Sequence, residues 1–263
     1  MNQEKEILFT KKRILECAQL AYQKEILVYT DFLGLAEQNL FYSSIKEFPA
    51  VTYSCYGGTK EAERFCIAFD GRELVSHFKQ GTAEDYNLFP IVCICISPSN
   101  IKYSEILTHR DYLGALLHLG ITRNKLGDIY MKDKKAYLFC IESIADFLCK
   151  ELCTVKHTSV SCEIITPEEE LLKPVFQEIT STVASLRLDA FLSVAFQTSR
   201  SSIASYIDAE KTYINGRLVT KASTQLKEDD IVSVRGKGRF SVKEIKNTTK
   251  KGRTVVTINK YVS

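Results

Sequence analysis

Two sets of residues in this 263-residue chain have the types and spacing to do chemistry. His109-Arg110-Asp111 puts an imidazole, a guanidinium and a carboxylate in succession, the tripeptide of protein-kinase catalytic loops. The rest of that machinery is missing: no glycine-rich loop, no Asp-Phe-Gly, no Asn at the required offset. Thr108 can instead cap a helix with Asp111 three residues on, so the carboxylate has a structural job in a capping box. The second set is nine cysteines, at 17, 55, 66, 93, 95, 140, 149, 153 and 162. None forms a C-x-x-C pair and most sit in apolar runs, so they read as free thiols used as small apolar residues. Cys149 and Cys153, one helical turn apart, are the pair to check for a metal. No metal and no other cofactor is expected.

Other enzyme signatures break off early. Arg187-Leu188-Asp189 has the context of a pseudouridine-synthase aspartate, but Ala190-Phe191-Leu192 and another helix follow, and no second such motif lies upstream. Gly236-Lys237-Gly238 lies between two expected strands, whereas a methyltransferase needs its glycines before a helix. His118-Leu119-Gly120 meets Ile121 where a tyrosyl-tRNA synthetase would need His. A P-loop is absent. The expectation is a non-enzyme; the alternatives are an RNA-modifying enzyme of pseudouridine-synthase type and a protein-docking adaptor working through an acidic N-terminal part.

Charge points to a polyanion. Residues 187–263 carry 15 Lys and Arg against 7 Asp and Glu, a net of +8. Residues 1–186 carry 20 against 25, so the whole-chain net of +3 hides a basic C-terminal third. A basic patch on a small unit is the footprint of nucleic-acid binding. No apolar run approaches the roughly 18 residues of a membrane span, and Met1–Glu6 opens no signal peptide. A cytosolic, cytoplasmic protein without membrane contact is expected.

Four stretches must position these groups. Residues 1–75 read as a helical-plus-hairpin domain: helix from about Lys11 to Lys46 with a break at Thr30-Asp31 and Gly34, then strands Val51–Tyr56 and Phe65–Phe69. Residues 76–166 read as a ferredoxin-like (RRM-like) βαββαβ plait: strand Phe89–Ile96, helix Thr108–Leu119, strands Gly127–Met131 and Ala136–Cys140, helix Ile144–Leu152, strand Val155–Ile165. Tyr137 and Phe139 alternate on one strand, where they can stack bases on an open sheet face or fill a core. Residues 167–184 read as a polar connector with a hinge at Thr180-Ser181-Thr182. Residues 185–263 hold two amphipathic helices, an Asn215-Gly216 hairpin, a strand Asp230–Arg235 and a late strand from Gly252 to Tyr261. The fold class is α+β.

The order of pieces from Arg187 to Val242 resembles the alpha-L RNA-binding domain, named after small-subunit ribosomal protein S4. His109–Leu117, continuing Leu119-Gly120-Ile121-Thr122-Arg123-Asn124-Lys125-Leu126-Gly127-Asp128-Ile129, is similar to the YlmH family of bacterial RNA-binding proteins, and the resemblance covers essentially the whole chain. It implies a non-enzymatic factor of ribosome-associated quality control. Such a factor binds rRNA and tRNA on the large ribosomal subunit, where a stalled nascent chain receives its tail. Some relatives are linked to cell division. The N-terminal domains are the candidates for protein partners. Arg187, Ser199, Arg200, Ser201, Lys211, Arg217, Lys221, Arg235, Lys237 and Arg239 are the candidate RNA-binding residues, with Arg110, Arg123 and Lys125 as further contacts. A helix N-terminus such as that at Ser199 offers unpaired N–H groups to a phosphate.

Overall fold

Ile14, Ala18 and Ala21 share the buried face of α1 (Gln3–Lys24), as their helical spacing requires. The structure is a computed structural model that describes residues 3–72, 88–102, 104–168, 172–248 and 252–262. Beyond α1 the chain departs from the sequence reading. Leu27–Tyr29 is not helical but a short strand, β1, paired with β3. Helix α2 (Leu35–Ser44) follows, its entry fixed by the Glu37 carboxylate accepting from the Gly34 N–H at 2.6 Å. Strands β2 (Thr52–Tyr56) and β3 (Cys66–Asp70) pair as expected, with β3 in the middle of the order β1-β3-β2. Every residue of β3 is buried, so this small sheet is covered on both faces.

The plait is present in its order of elements: β4 (Ile91–Pro98), α3 (His109–His118), β5 (Leu126–Lys132), β6 (Lys135–Ile141), α4 (Ala145–Glu151) and β8 (Thr158–Ile165). The expected single last strand is broken: β7 (Thr154–Val155) turns back at Lys156, which holds φ +52°, and pairs with β8. The sheet runs β5-β6-β4-β8-β7, antiparallel throughout. Side chains alternate across it. Ile94, Ile96, Ala136, Leu138 and Cys140 face the helices, with Tyr112, Leu116 and Leu148. Cys93, Tyr137, Phe139 and Ile141 face the other way.

That other face is not open. It shares one core with Phe32, Cys66, Ala68, Phe89 and Leu172. The fit is close: a Cβ on Gly58, which holds φ +100°, would come within 2.1 Å of the Phe139 ring, and one on Gly127 within 2.7 Å of the Phe32 ring. Polar ties rim the contact. The Asp31 carboxylate accepts from Arg13 at 2.9 Å, Asn124 at 2.7 Å and Lys125 at 2.6 Å. Arg64 donates to the carbonyls of Leu126, Phe32 and Arg123 at 3.0, 3.1 and 3.3 Å. The stretch expected as a separate N-terminal domain therefore packs with the plait in one unit, residues 1–173. The expected boundary at 75–76 lies outside the described residues.

The second unit is residues 174–263. It opens with a strand that the sequence reading missed. Val175–Val183, where the sequence predicts a connector with a hinge at Thr180-Ser181-Thr182, is β9, paired with β14 along all nine residues. Then come α5 (Leu188–Phe196), α6 (Arg200–Asp208), β10 (Thr212–Ile214), β11 (Arg217–Leu218), β12 (Ile231–Val234), β13 (Gly238–Thr248) and β14 (Thr254–Val262). The sheet order is β11-β10-β12-β13-β14-β9. Leu188, Leu192 and Ala195 of α5 and Ile203 and Ile207 of α6 pack on Val232, Val234, Phe240, Val256 and Ile258. Asn215 at φ +49° and Gly216 at φ +75° make the hairpin turn, and the buried Asp230 accepts from the Asn215 amide at 2.9 Å.

Two glycine replacements separate the close approach from ordinary helix propensity. Gly58→Ala should lose at least about 2 kcal/mol in urea unfolding, since both its φ and its contact with Phe139 forbid a side chain. Gly114→Ala in mid-α3, where an added Cβ meets nothing within 4 Å, should gain about 0.5–1 kcal/mol.

Candidate nucleic-acid interface

The His109-Arg110-Asp111 run resolves into scaffolding. Asp111 accepts from the Thr108 N–H and hydroxyl, both at 2.7 Å, and from Lys156 at 2.9 Å. The Thr108 backbone N–H, donating to it, and the Lys156 ammonium hold its carboxyl at about 2, well below the ordinary 3.8. His109 is half-buried, and burial together with Arg123 pushes its imidazole down, toward the neutral form. Among the further RNA candidates, Arg123 donates to the carbonyls of Leu126 at 2.6 Å and Gly127 at 3.0 Å. Burial, with Arg64 beside it, pushes its guanidinium down to about 10. Lys125 is tied to Asp31. Arg110 is exposed on the first turn of α3.

The plait's aromatics are likewise committed. Tyr137 is 6% exposed and Phe139 4%, both under the N-terminal sheet. Uncovering Tyr137, Phe139, Ile141, Phe32 and Phe89 would cost roughly 1.5–3 kcal/mol apiece. Stacking a base returns about 1–3 kcal/mol. One or two stacked bases do not outweigh five uncovered side chains, so this sheet face is closed to RNA.

In the second unit the candidate residues fall into separate groups. At the start of α5, Arg187 is the N-cap residue and its guanidinium forks onto Asp189, with both contacts at 3.1 Å. That hydrogen-bonded pair raises the Arg187 value further, so it is a fixed positive charge. The loop with the exposed Lys221 is laced to the same helix start: Asp189 N–H donates to Ala222 O at 3.2 Å and Leu188 N–H to Thr224 O at 2.8 Å. Ser199 caps α6, its hydroxyl accepting from the Ser202 N–H at 3.3 Å. The side chains of Arg200 and Ser201 lie outside the described residues. The two helix starts stand apart by the length of nine-residue α5, roughly 13 Å.

A second group gathers at the far end of α6. Arg235 N–H donates to Lys211 O at 2.9 Å, which sets these exposed residues side by side. Lys237, in the turn between Gly236 at φ +81° and Gly238 at φ +112°, places its ammonium 5.5 Å from the Tyr206 ring centre. Arg239 lies over Tyr261 at 3.8 Å, and Arg217 is exposed on β11. The sequence reading passed over Lys260, whose ammonium sits 5.4 Å from the Phe196 ring centre. Its signal was the Val256-Ile258-Lys260 alternation, which carries the core face of β14 out to its rim.

Among the described residues no group of three His, Cys, Asp or Glu could hold a metal. Cys149 and Cys153 are respectively half-buried and exposed, and burial pushes the Cys55, Cys93, Cys140 and Cys162 thiols up to about 12. No described helix is long and apolar enough to cross a membrane.

Exposed cations on a small sheet-and-helix unit, joined to a plait, make the build of a nucleic-acid-binding protein. Residues 85–169, essentially the plait, match the family model described as "Putative RNA-binding domain in YlmH". The chain is 28% identical over 250 residues to the Ribosome-associated protein quality control protein P2 of Bacillus subtilis (strain 168), covering 94% of this chain and 92% of that one. The solved structure of the Cell division protein ylmH from Streptococcus pneumoniae aligns with a TM-score of 0.46 and 21% identity, over 65% of this chain and 95% of that one. The domain match and the near full-length relative make the chain similar to YlmH-type proteins, with an RNA-binding role supported by the matched domain.

The Asp111 cap has a pH signature. Its folded value is depressed, so its contribution is present above about pH 4 and fades as the pH falls through about 2. In thermal melts Asp111→Ala should be less stable than the wild type at pH 6, and the gap should close as the pH approaches 2. A gap independent of pH would mean that the carboxylate charge is not what the cap uses.

Proposed function

We propose that this protein is a non-enzymatic, cytoplasmic RNA-binding factor that engages rRNA and tRNA on the large ribosomal subunit, in quality control of stalled nascent chains. The observation that carries the reading is the exposed group Lys211, Arg235 and Lys237 on the basic second unit, held at fixed spacing by α6 and the β12–β13 turn. That unit is read as an alpha-L domain of the S4 type. Its order of two helices, hairpin and strands supports this, as does its net charge. The plait carries 9 Lys and Arg against 11 Asp and Glu over residues 85–169, so the electrostatic pull on RNA comes from the second unit. Any contact of the plait itself runs through its helix side or loops, where Arg110 is exposed. Arg187, Lys221, Arg217 and Arg239 flank the main group, and the Ser199 helix start receives a phosphate. Recognition is by the shape of structured RNA more than by base sequence. The ribosome enters from the name of the Bacillus relative. The first unit, acidic overall, is the part free to dock proteins.

Co-sedimentation with purified small subunits, empty large subunits and large subunits carrying peptidyl-tRNA tests the reading. Preference for the last is expected, and equal pelleting with all three would leave only generic RNA binding. Reversing Lys211, Arg235 and Lys237 to Glu together should abolish pelleting while the circular dichroism melt stays put. If about five cations meet phosphates, log affinity should fall against log salt with a slope of roughly −3.5 to −4.5; a flat dependence would remove the electrostatic account.

A further inference from the structure

Arg239 of β13, Tyr261 of β14 and Phe176 of β9 stand in one row across three neighbouring strands. Tyr261 is directly opposite Phe176, and Phe240 opposite Lys260, which brings Arg239 level with Tyr261. The Tyr261 and Phe176 rings meet edge to face, with centres 4.8 Å apart and planes at 75°. The Arg239 guanidinium carbon lies 3.8 Å over the Tyr261 ring centre. Alternation along the strands fixes the side of the sheet: Phe240, Ile258 and Ile179 belong to the core under α5 and α6, so this row is on the opposite face. Further along that face run the Lys243–Glu178 ion pair and Arg253, which donates to Thr182.

The row ends at an edge strand and is left in solvent. Phe176 is 41% exposed there, while its strand neighbours Val175 and Val262 turn to the helix side of the sheet. Exposed apolar side chains on an edge strand invite unwanted pairing, so their presence calls for a partner. The patch is narrow and bears cations, which fits a flat ring carrying a phosphate better than an apolar protein surface. A base has a π-face for the aromatic pair, and its phosphate suits a guanidinium already held flat by Tyr261. We infer that Phe176, Tyr261 and Arg239 form a stacking site for an unpaired nucleobase of RNA, on the sheet face away from the two helices. This rests on the reading of the second unit as RNA-binding and adds to it a preference for a single-stranded segment beside structured RNA.

The test uses the full chain, an adenine dodecamer RNA with a central 2-aminopurine, and a duplex RNA of equal length. The wild type should bind both and quench the 2-aminopurine. The double variant Phe176→Leu/Tyr261→Leu keeps apolar bulk and strand preference but has no rings. It should lose the quenching and bind the single strand about 5- to 150-fold more weakly. Its duplex affinity and melting temperature should not change. Wild-type binding without quenching overturns the inference, as does a variant that binds the single strand like the wild type; the latter would assign the row to a protein contact. A wild type that binds neither RNA instead overturns the RNA reading of the unit, which separates the two failures.

Discussion

The closing of the plait's second sheet face is the constraint on which the first unit depends. A four-strand plait with helices on one side leaves the other side to be filled or wetted. Here the side chains on that side are large and apolar, and the β1-β3-β2 sheet with Phe32 and Phe89 seals them. Gly58 and Gly127 matter because they let backbone meet ring without an intervening Cβ. Asp31 and Arg64 matter because they bind the carbonyl and amide groups that the junction would otherwise leave unpaired at its rim.

This seal redistributes function. RNA-recognition modules read unstacked bases on the open face of such a sheet. This plait has that order of strands, and its Tyr137 and Phe139 sit where stacking rings could sit, yet both serve as core. The exposed cations that the proposed reading gives to RNA concentrate in residues 187–263. The same logic applies to the histidine-arginine-aspartate run. Asp111 and, further on, Arg123 are drawn into holding α3 and β5 in place, His109 is half-buried, and Arg110 remains exposed.

Much of this architecture was legible in the sequence because it is locally encoded. The Thr108–Asp111 cap, the β-branched run at Ile91–Ile96, the Asn215-Gly216 turn and the Ser199 cap each follow from residues a few positions apart. The misses share a cause. β1 is three residues long and exists only because β3 lies beside it. β9 reads as a polar connector because Glu178, Thr180 and Thr182 face solvent, and its pairing with β14 spans some 80 positions that no local pattern reports. Arg64 and Asp31 were invisible for the same reason, their partners lying as far as residues 126 and 125. Of the site, the identity of the exposed cations could be read, but their grouping could not. Arg187 and Ser199 stand at two separate helix starts, whereas Lys211 and Arg235 meet through a backbone bond just past α6 and β12, with Lys237 in the turn that follows.

The central claim is that RNA is met by the second unit and not on the plait's sheet. Ultraviolet cross-linking of the full chain to ribosomal RNA, with the linked peptides identified by mass spectrometry, tests it directly. The account predicts cross-links within residues 187–263 and around Phe176, with none at Tyr137 or Phe139. Cross-links at Tyr137 or Phe139 in the folded protein would contradict it, because they would require the sealed face to open.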